Sequence, residues 1–434
     1  MGSKIVFSFT GLFVCSAALA QPIDTKGNDS YLAKFNPSPA PAAKKQLLRK
    51  DDRLAICGDS ITEQKMYSRI METYLTVCQP ELNVSVRQYG WSGEQTPGFL
   101  ARMTNDCLRF HPTVATTCYG MNDHHYRAFE DSIGQAYASN TTAIVEAFEN
   151  HGTRVVLGSA GCVGKRPSWV GDPNATKDDL NLNLCRLRNI DVDIAKKEKV
   201  TFADVFWPML TAEHFAIQSY GTNYAVPGKD GVHPGWAGHV VMAYAFLHAF
   251  DMDGNLGTFK VDLKSGKAEV SKGHEVVSSK DGEVTITSHR YPFCTGEGDV
   301  TKDDNVLSGT KLIPFNQELN RMMLVVKHAK AKSYLVTWGA ETRCFSGDQL
   351  EKGINLAAEF ARNPFLENFK KVDEAVAAKQ GYETKQIKQT FRSTEARKDM
   401  EAVVTQTEKE RDPLVAAIKE AFVPVTHTIK IVAQ

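Results

Sequence analysis

The sequence predicts an α/β chain: a three-layer domain built on a mainly parallel five-stranded sheet, followed by a β-rich unit and a helical segment. Three observations predict it. Between Leu54 and Phe250, strand-like apolar runs alternate with stretches of helical periodicity, and that alternation means crossover units and a parallel sheet covered on both faces. Beyond Asp251 the texture changes to β-rich runs separated by short turn signals. Residues 350–422 are then charged and amphipathic with a helical period.

Each element has its own signature. LAIC (54–57) is a short apolar run, and the helix after it carries Tyr67, Ile70, Met71, Tyr74, Leu75 and Cys78 on one face. NVSVRQY (83–89) and TVATTCY (113–119) read as strands. A helix holding Ile133, Tyr137, Ile144, Val145 and Phe148 follows, then the strand RVVLGSA (154–160). A helix over 178–197, the strand TFADVF (201–206) and a helix from Pro234 to Phe250 complete a first domain placed at 50–252. TFKVDLKSGKAEV, HEVVSSKDGEVTITSHRY, MMLVVKH and SYLVTWG predict an antiparallel sheet or small sandwich over 253–346. In the helical segment, 347–422, Ile387, Phe391, Leu414, Ile418 and Phe422 take apolar positions, and PVTHTIKIV within 423–434 is a terminal strand expected to return to the β-rich unit.

The chain opens MGSKIVFSFTGLFVCSAALAQP: an early lysine, an apolar run, then Ala18-Leu19-Ala20. This is the pattern of a secretory signal peptide over 1–20, cleaved before Gln21. A secreted or periplasmic protein is therefore expected. Val14 before Cys15 matches a lipoprotein signal poorly, which favours release over a lipid anchor. No later stretch is long and apolar enough for membrane insertion. Residues 21–49, with NPSPAPAAKK at their centre, form a proline-rich lead-in. A chain of 434 residues, 42% hydrophobic and 24% charged, is globular and too long for one average domain. Its formal net charge is +0 and no basic run is interleaved with aromatics, so no nucleic-acid partner is expected. Of nine cysteines, Cys15 falls in the signal segment, leaving an even number in a compartment that permits disulfides. Cys57 and Cys118 read as buried thiols in strands. Cys78 with Cys107, Cys162 with Cys185, and Cys294 with Cys344 are candidate bridges from sequence proximity.

The chemistry sits at strand ends, because ligands bind outside the carboxyl ends of parallel strands where the order switches. The first strand delivers Gly58-Asp59-Ser60, the second ends in QYGWSGEQT with Gly90 and Gly93, and the third ends in YGMND with Asn122 and Asp123. In the common order 2-1-3-4-5, Gly93 and Asn122 flank Ser60 from either side, which is the geometry of an oxyanion hole. A serine hydroxyl needs a base. GKDGVHPGWAGH supplies Asp230 and His233, three apart before a helix, so that the carboxylate reaches one imidazole nitrogen and the other faces the hydroxyl. Ser60 and Glu63 also fit a capping box. A hydroxyl turned toward His233 would leave Glu63 as ordinary first-turn support.

Gly58-Asp59-Ser60-Ile61, then Gly93, Gly120-Met121-Asn122-Asp123 and Asp230-Gly231-Val232-His233, resemble in order and spacing the four blocks of the SGNH (GDSL-type) hydrolases. Those are serine esterases on a flavodoxin-like three-layer fold, and the resemblance covers about residues 57–239. It implies Ser60 as nucleophile, His233 as general base and acid, Asp230 as its orienting partner, and an oxyanion hole of the Ser60 amide, the Gly93 amide and the Asn122 side chain. The choice of Gly93 over Gly90 rests on its S-G-x-x-T context. Asp59 and Asp123 read as structural, bonding loop amides. No cofactor is expected, and His111, His124, His125 and His239 lack the spacing of a metal site.

Trp91 beside the oxyanion glycine, His124 after the third block and Trp236 after the base are candidate substrate contacts. Each has an alternative reading: packing for the tryptophans, a loop histidine for His124. The resemblance, with export and tryptophans near the site, points to a secreted serine esterase that removes acetyl groups from a carbohydrate. A lipid acyl hydrolase and a carbohydrate-binding protein on an inactive hydrolase scaffold are the alternatives.

Overall fold

The computed structural model describes residues 29–43, 47–172 and 174–434. The expected signal segment 1–20, its cleavage site and part of the lead-in lie outside them. Five strands form the first sheet: β1 (Arg53–Gly58), β2 (Ser85–Gln88), β3 (Val114–Cys118), β4 (Arg154–Gly158) and β5 (Thr201–Ala203). Every neighbouring pair is parallel and the order is 2-1-3-4-5. The sequence does this through unbroken apolar runs. All of β3 and all of β1 except Arg53 are buried, and the period of two sends Leu54 and Ile56 to one core, Ala55 and Cys57 to the other.

Seven helices belong to this layer system: α1 (Ser60–Glu63), α2 (Tyr67–Cys78), α3 (Thr96–Asp106), α4 (Asp131–Asn150), α5 (Lys177–Lys197), α6 (Phe206–Tyr220) and α7 (Trp236–Ala249). Helices α2, α6 and α7 feed the core that holds Ile56, and α3 and α4 feed the core that holds Cys57. Helix α5 opens with a closed capping box between Thr176 and Asp179. Two long helices were not expected, α3 between the second and third strands and α6 after the fifth. The stretch after Trp207 reads as a connection, yet α6 occupies most of it, because FWPMLTAEHFAIQSY is apolar nearly all round and carries little amphipathic signal. Its Pro208 falls in the first turn, where no backbone N–H is lost from the ladder.

The lead-in straps onto this domain: Leu32 and Phe35 are buried in its core, and Ser38 bonds Asn189 and Arg188 of α5.

The β-rich unit contains β6 (Asn255–Asp262), β7 (Lys267–Val270), β8 (His274–Lys280), β9 (Glu283–Ser288), β10 (Arg321–Lys327), β11 (Ser333–Trp338), β12 (Glu341–Ser346), β13 (Ile354–Asn355) and β14 (Val425–Ala433). They form two sheets, β13-β10-β6-β7 and β12-β11-β14-β9-β8. Phe259 of the first sheet packs its ring on His274 and His427 of the second. The hairpin β8–β9 turns through Asp281 and Gly282, both at positive φ, as a D-G turn requires. The sheets are not wholly antiparallel as expected: β6 and β10 pair in parallel. The chain leaves β6 through β7, β8 and β9 before β10 returns beside it, and so long an excursion allows a parallel partner. Strand β14 lies between β11 and β9.

The two halves share a core. Helix α7 packs on the parallel sheet and on the short helix Val306–Leu312, where Gly309 lets the backbones meet at Ala237 and Val240. Helices Leu366–Lys388 and Met400–Ala421 lie over α2 and the β2 edge. There Lys379 and Arg411 donate to Val86 O, and Gln88 N donates to Glu383. The outer edge of the parallel sheet, a ready template for another strand, is thereby closed.

The three candidate bridges do not form: Cys78, Cys107, Cys162, Cys185 and Cys294 are buried thiols, as are Cys57 and Cys118. Cys78 and Cys107 cannot meet, since they belong to cores on opposite faces of the sheet. Among the described residues no helix is long and apolar enough to cross a membrane.

Candidate active site

The end of β1 and the first turn of α1 place the nucleophile candidate. Asp59 takes the N-cap position, its carboxylate accepting from Ile61 N at 2.9 Å, so the capping duty does not fall on Ser60. The Ser60 hydroxyl is free to turn, and its Oγ lies 2.8 Å from His233 Nε2. His233 Nδ1 lies 2.7 Å from Asp230 Oδ2, while Asp230 Oδ1 accepts from the Val232 and His233 amides, each at 2.9 Å. This turn holds the carboxylate against the ring through its own backbone. Burial pushes the Asp230 carboxyl up, but the two amides and the His233 ring outweigh it and hold it below the usual carboxylate range. An ionised Asp230 fixes the tautomer in which Nδ1 carries the proton and Nε2 accepts from Ser60.

The candidate oxyanion donors lie on the loops either side of β1. Gly90 lets the loop after β2 press on α1, since a Cβ there would lie 2.2 Å from Glu63 N. The loop then reaches Gly93 at φ +72. From the other side Asn122 Nδ2 donates to Glu94 O at 3.1 Å and stands 3.4 Å from Asp59 Oδ2, which puts its amide beside the residues that follow Gly93 and precede Ser60. Tyr126 OH donates to Asn122 Oδ1 and sets the amide's orientation. Among the described residues no acceptor lies within hydrogen-bond reach of the Ser60 or Gly93 amide. The two backbone N–H groups are therefore available to a developing oxyanion, and the Asn122 amide, which here donates to Glu94 O and faces Asp59 Oδ2, is the side-chain candidate that would turn toward it. Asn122→Ala is expected to lower kcat by about 10²–10³-fold with little change in KM, measured by steady-state hydrolysis of a nitrophenyl ester.

Asp59 and Asp123 are structural supports. Asp123 accepts from Thr96 N, Thr96 Oγ1 and Gly120 N, tying the loops after β2 and β3 together. Burial raises the carboxyl of Asp59 to about 7, against the pull of the Ile61 amide.

The expected substrate contacts fare differently. His124 is wholly buried, so it does not line the cleft. Its Nδ1 donates to Met121 O, its Nε2 has no partner, and burial lowers its pKa to about 4. Trp91 is half-buried and faced by Arg102, Lys388 and Arg392, whose charges lie 5.0–5.2 Å from its ring. Trp236 is half-buried with Arg69 at 5.7 Å. The aromatic that does stand open is Trp169, 50% exposed. It is the only well-exposed Trp, Tyr or Phe among the described residues, and its ring centre lies 6.0 Å from that of His233 and 5.9 Å from that of Tyr126. Trp169 and Tyr126, with His125, Arg127, Glu130 and Asp172, line an open hollow of about 580 Å³. Trp169 lies in GKRPSWVGD, the loop after β4, so its place at a strand's carboxyl end was the available signal.

Residues 56–241 match the GDSL-like Lipase/Acylhydrolase family. They form a GDSL-like acylhydrolase domain. The acylhydrolase domain is thus of the esterase type, on the flavodoxin-like fold described above. No curated protein matches the sequence. Among solved structures, a gut microbial diltiazem-metabolizing enzyme is 20% identical, covers 92% of this chain and 100% of its own, and has a TM-score of 0.70. It therefore shares the fold of both halves. An acetylxylan esterase from Geobacillus stearothermophilus (20% identity, 48% of this chain, 97% of its own, TM-score 0.39) and an alpha/beta hydrolase from the metagenome of Lake Arreo, Spain (21%, 48%, 98%, 0.40) are also similar.

Proposed function

We propose that the acylhydrolase domain is a serine esterase acting on short acyl esters of a carbohydrate. His233 takes the Ser60 proton as Oγ attacks the ester carbonyl, and the oxyanion is held by the Ser60 and Gly93 amides and Asn122. The protonated His233 then delivers its proton to the leaving sugar hydroxyl, giving an acyl-serine. A water molecule deprotonated by His233 attacks in turn and restores the enzyme.

The observation that carries the carbohydrate reading is Trp169, an open ring face beside the catalytic histidine at the edge of a hollow lined by charged and polar groups. Sugar rings stack on such faces and bond such groups, whereas a lipid acyl chain calls for an apolar channel. The linked Ser60, His233 and Asp230 favour an active enzyme over a binding protein on an inactive scaffold.

Trp169→Ala is expected to raise KM for an acetylated polysaccharide by about tenfold, the worth of one stacked ring at about 1.4 kcal/mol. Hydrolysis of nitrophenyl acetate is expected to stay within about twofold. Acetate release from the polymer and nitrophenol release from the small ester are the two measurements. Equal losses on both, or faster turnover of long-chain than of acetyl esters, would overturn the carbohydrate reading.

A further inference from the structure

The C-terminal helical segment reaches the catalytic apparatus at one place. Lys388, the last residue of its long helix, sets its ammonium 2.7 and 2.8 Å from the two carboxylate oxygens of Glu63. Glu63 ends the first turn after the nucleophile, and its Oε2 also accepts from Ser92 N at 2.5 Å. Ser92 is joined directly to Gly93. One turn further on, Arg392 makes a two-pronged pair with Asp106, at 2.8 and 2.6 Å, and joins Lys388 and Arg102 around the Trp91 ring. Both ends of the loop 90–93 are thus held. Gly90 is packed against Glu63 N, and the amide just before Gly93 is bonded to a carboxylate whose charge is neutralised from the far end of the chain.

We propose that Lys388 is a positioning residue for the oxyanion hole: by fixing the Glu63 carboxylate on the Ser92 amide it holds the next peptide, and with it the Gly93 N–H, in the direction that meets the oxyanion. The inference rests on the reading of Gly93 as an oxyanion donor. The physical reason is that a donor counts only when preorganised, since a loop that must be ordered during the reaction spends part of the stabilisation on ordering. A charge-assisted bond to Ser92 N, about twice as strong as a neutral one, supplies that order. Lys388 and Glu63 are both about three-quarters buried, so bulk water weakens the pair little. The second half of the chain is on this view part of the catalytic machinery of the first.

The test compares Lys388→Met and Lys388→Arg in the full-length protein on nitrophenyl acetate. Lys388→Met is expected to lower kcat about tenfold with KM within about twofold, because the interaction strengthens only as the oxyanion forms. Lys388→Arg, whose guanidinium also spans a carboxylate, is expected to restore most of the rate. Glu63→Gln acts through the same contact, so combining it with Lys388→Met is expected to cost no more than the larger single loss. If Lys388→Met lowers the thermal midpoint but leaves kcat at 25 °C unchanged, the residue is merely structural and the proposal is wrong. Ser60→Ala run alongside separates the two readings: if it stays active, the serine mechanism fails, and if it is inactive while Lys388→Met is unaffected, only the positioning role fails.

Discussion

Ser60→Ala is expected to abolish turnover of a nitrophenyl ester, with kcat falling by about 10⁴-fold or more, while the thermal midpoint hardly moves. Both halves of that expectation come from the same contacts. The hydroxyl is 2.8 Å from the imidazole nitrogen aimed at it, and removing it leaves the oxyanion donors with nothing covalent to stabilise. Capping of α1 is done by Asp59, so no helix amide loses a partner when the hydroxyl goes. Were Ser60 a cap, alanine would instead cost about 1 kcal/mol of stability and leave activity intact. His233→Ala should match Ser60→Ala in size, and the double variant should be no worse, because the two act as a unit.

Cutting the chain after residue 255 is expected to yield no folded acylhydrolase domain, read by circular dichroism and by loss of a cooperative melting transition. The parallel sheet would lose the cover over its β2 edge, and α7 would expose the face now packed on the short helix Val306–Leu312. A buried ion cluster would also come apart. Lys379, 1% exposed, lies 3.0 Å from Glu72 and 2.9 Å from Glu383, and Glu383 also receives Arg411 at 2.7 Å. Burial works to raise the Glu383 carboxyl, yet Lys379, Arg411 and Arg87 together hold it down. Within the intact protein, Lys379→Met removes one partner and leaves two carboxylates facing each other in the interior. That is expected to cost about 3–5 kcal/mol in urea unfolding. A truncated chain that melts cooperatively and hydrolyses the small ester would show that the second half is not needed for folding.

The parallel sheet, its strand order and the placement of Ser60, Asp230 and His233 were legible because each is written locally. Buried parallel strands are continuous apolar runs, Ser60 follows β1 immediately, and Asp230 and His233 stand three apart in the short stretch before α7. Helix α6 was not legible, since a helix apolar on nearly every face has no stripe to reveal it. The cysteine count misled for a related reason: Cys78 fits the apolar face of α2 and is a core residue there. Glu63 was read as plain first-turn support, and the sequence could not have shown otherwise. Its partners are Ser92 and Lys388, and a contact between positions so far apart leaves no mark in local composition. Trp169 was missed because a tryptophan in a loop without a motif looks like any other, and its exposure, with its ring close to His233, emerges only in the fold.

The central claim is that Ser60 becomes acylated. Incubating the full-length protein with a fluorophosphonate, which modifies only activated serines, and following intact mass and peptide maps tests it most directly. The account predicts one added phosphonyl group, located on Ser60, with activity lost in step with labelling and neither event in His233→Ala. Labelling at another residue, or full activity in protein whose Ser60 is quantitatively modified, would contradict it.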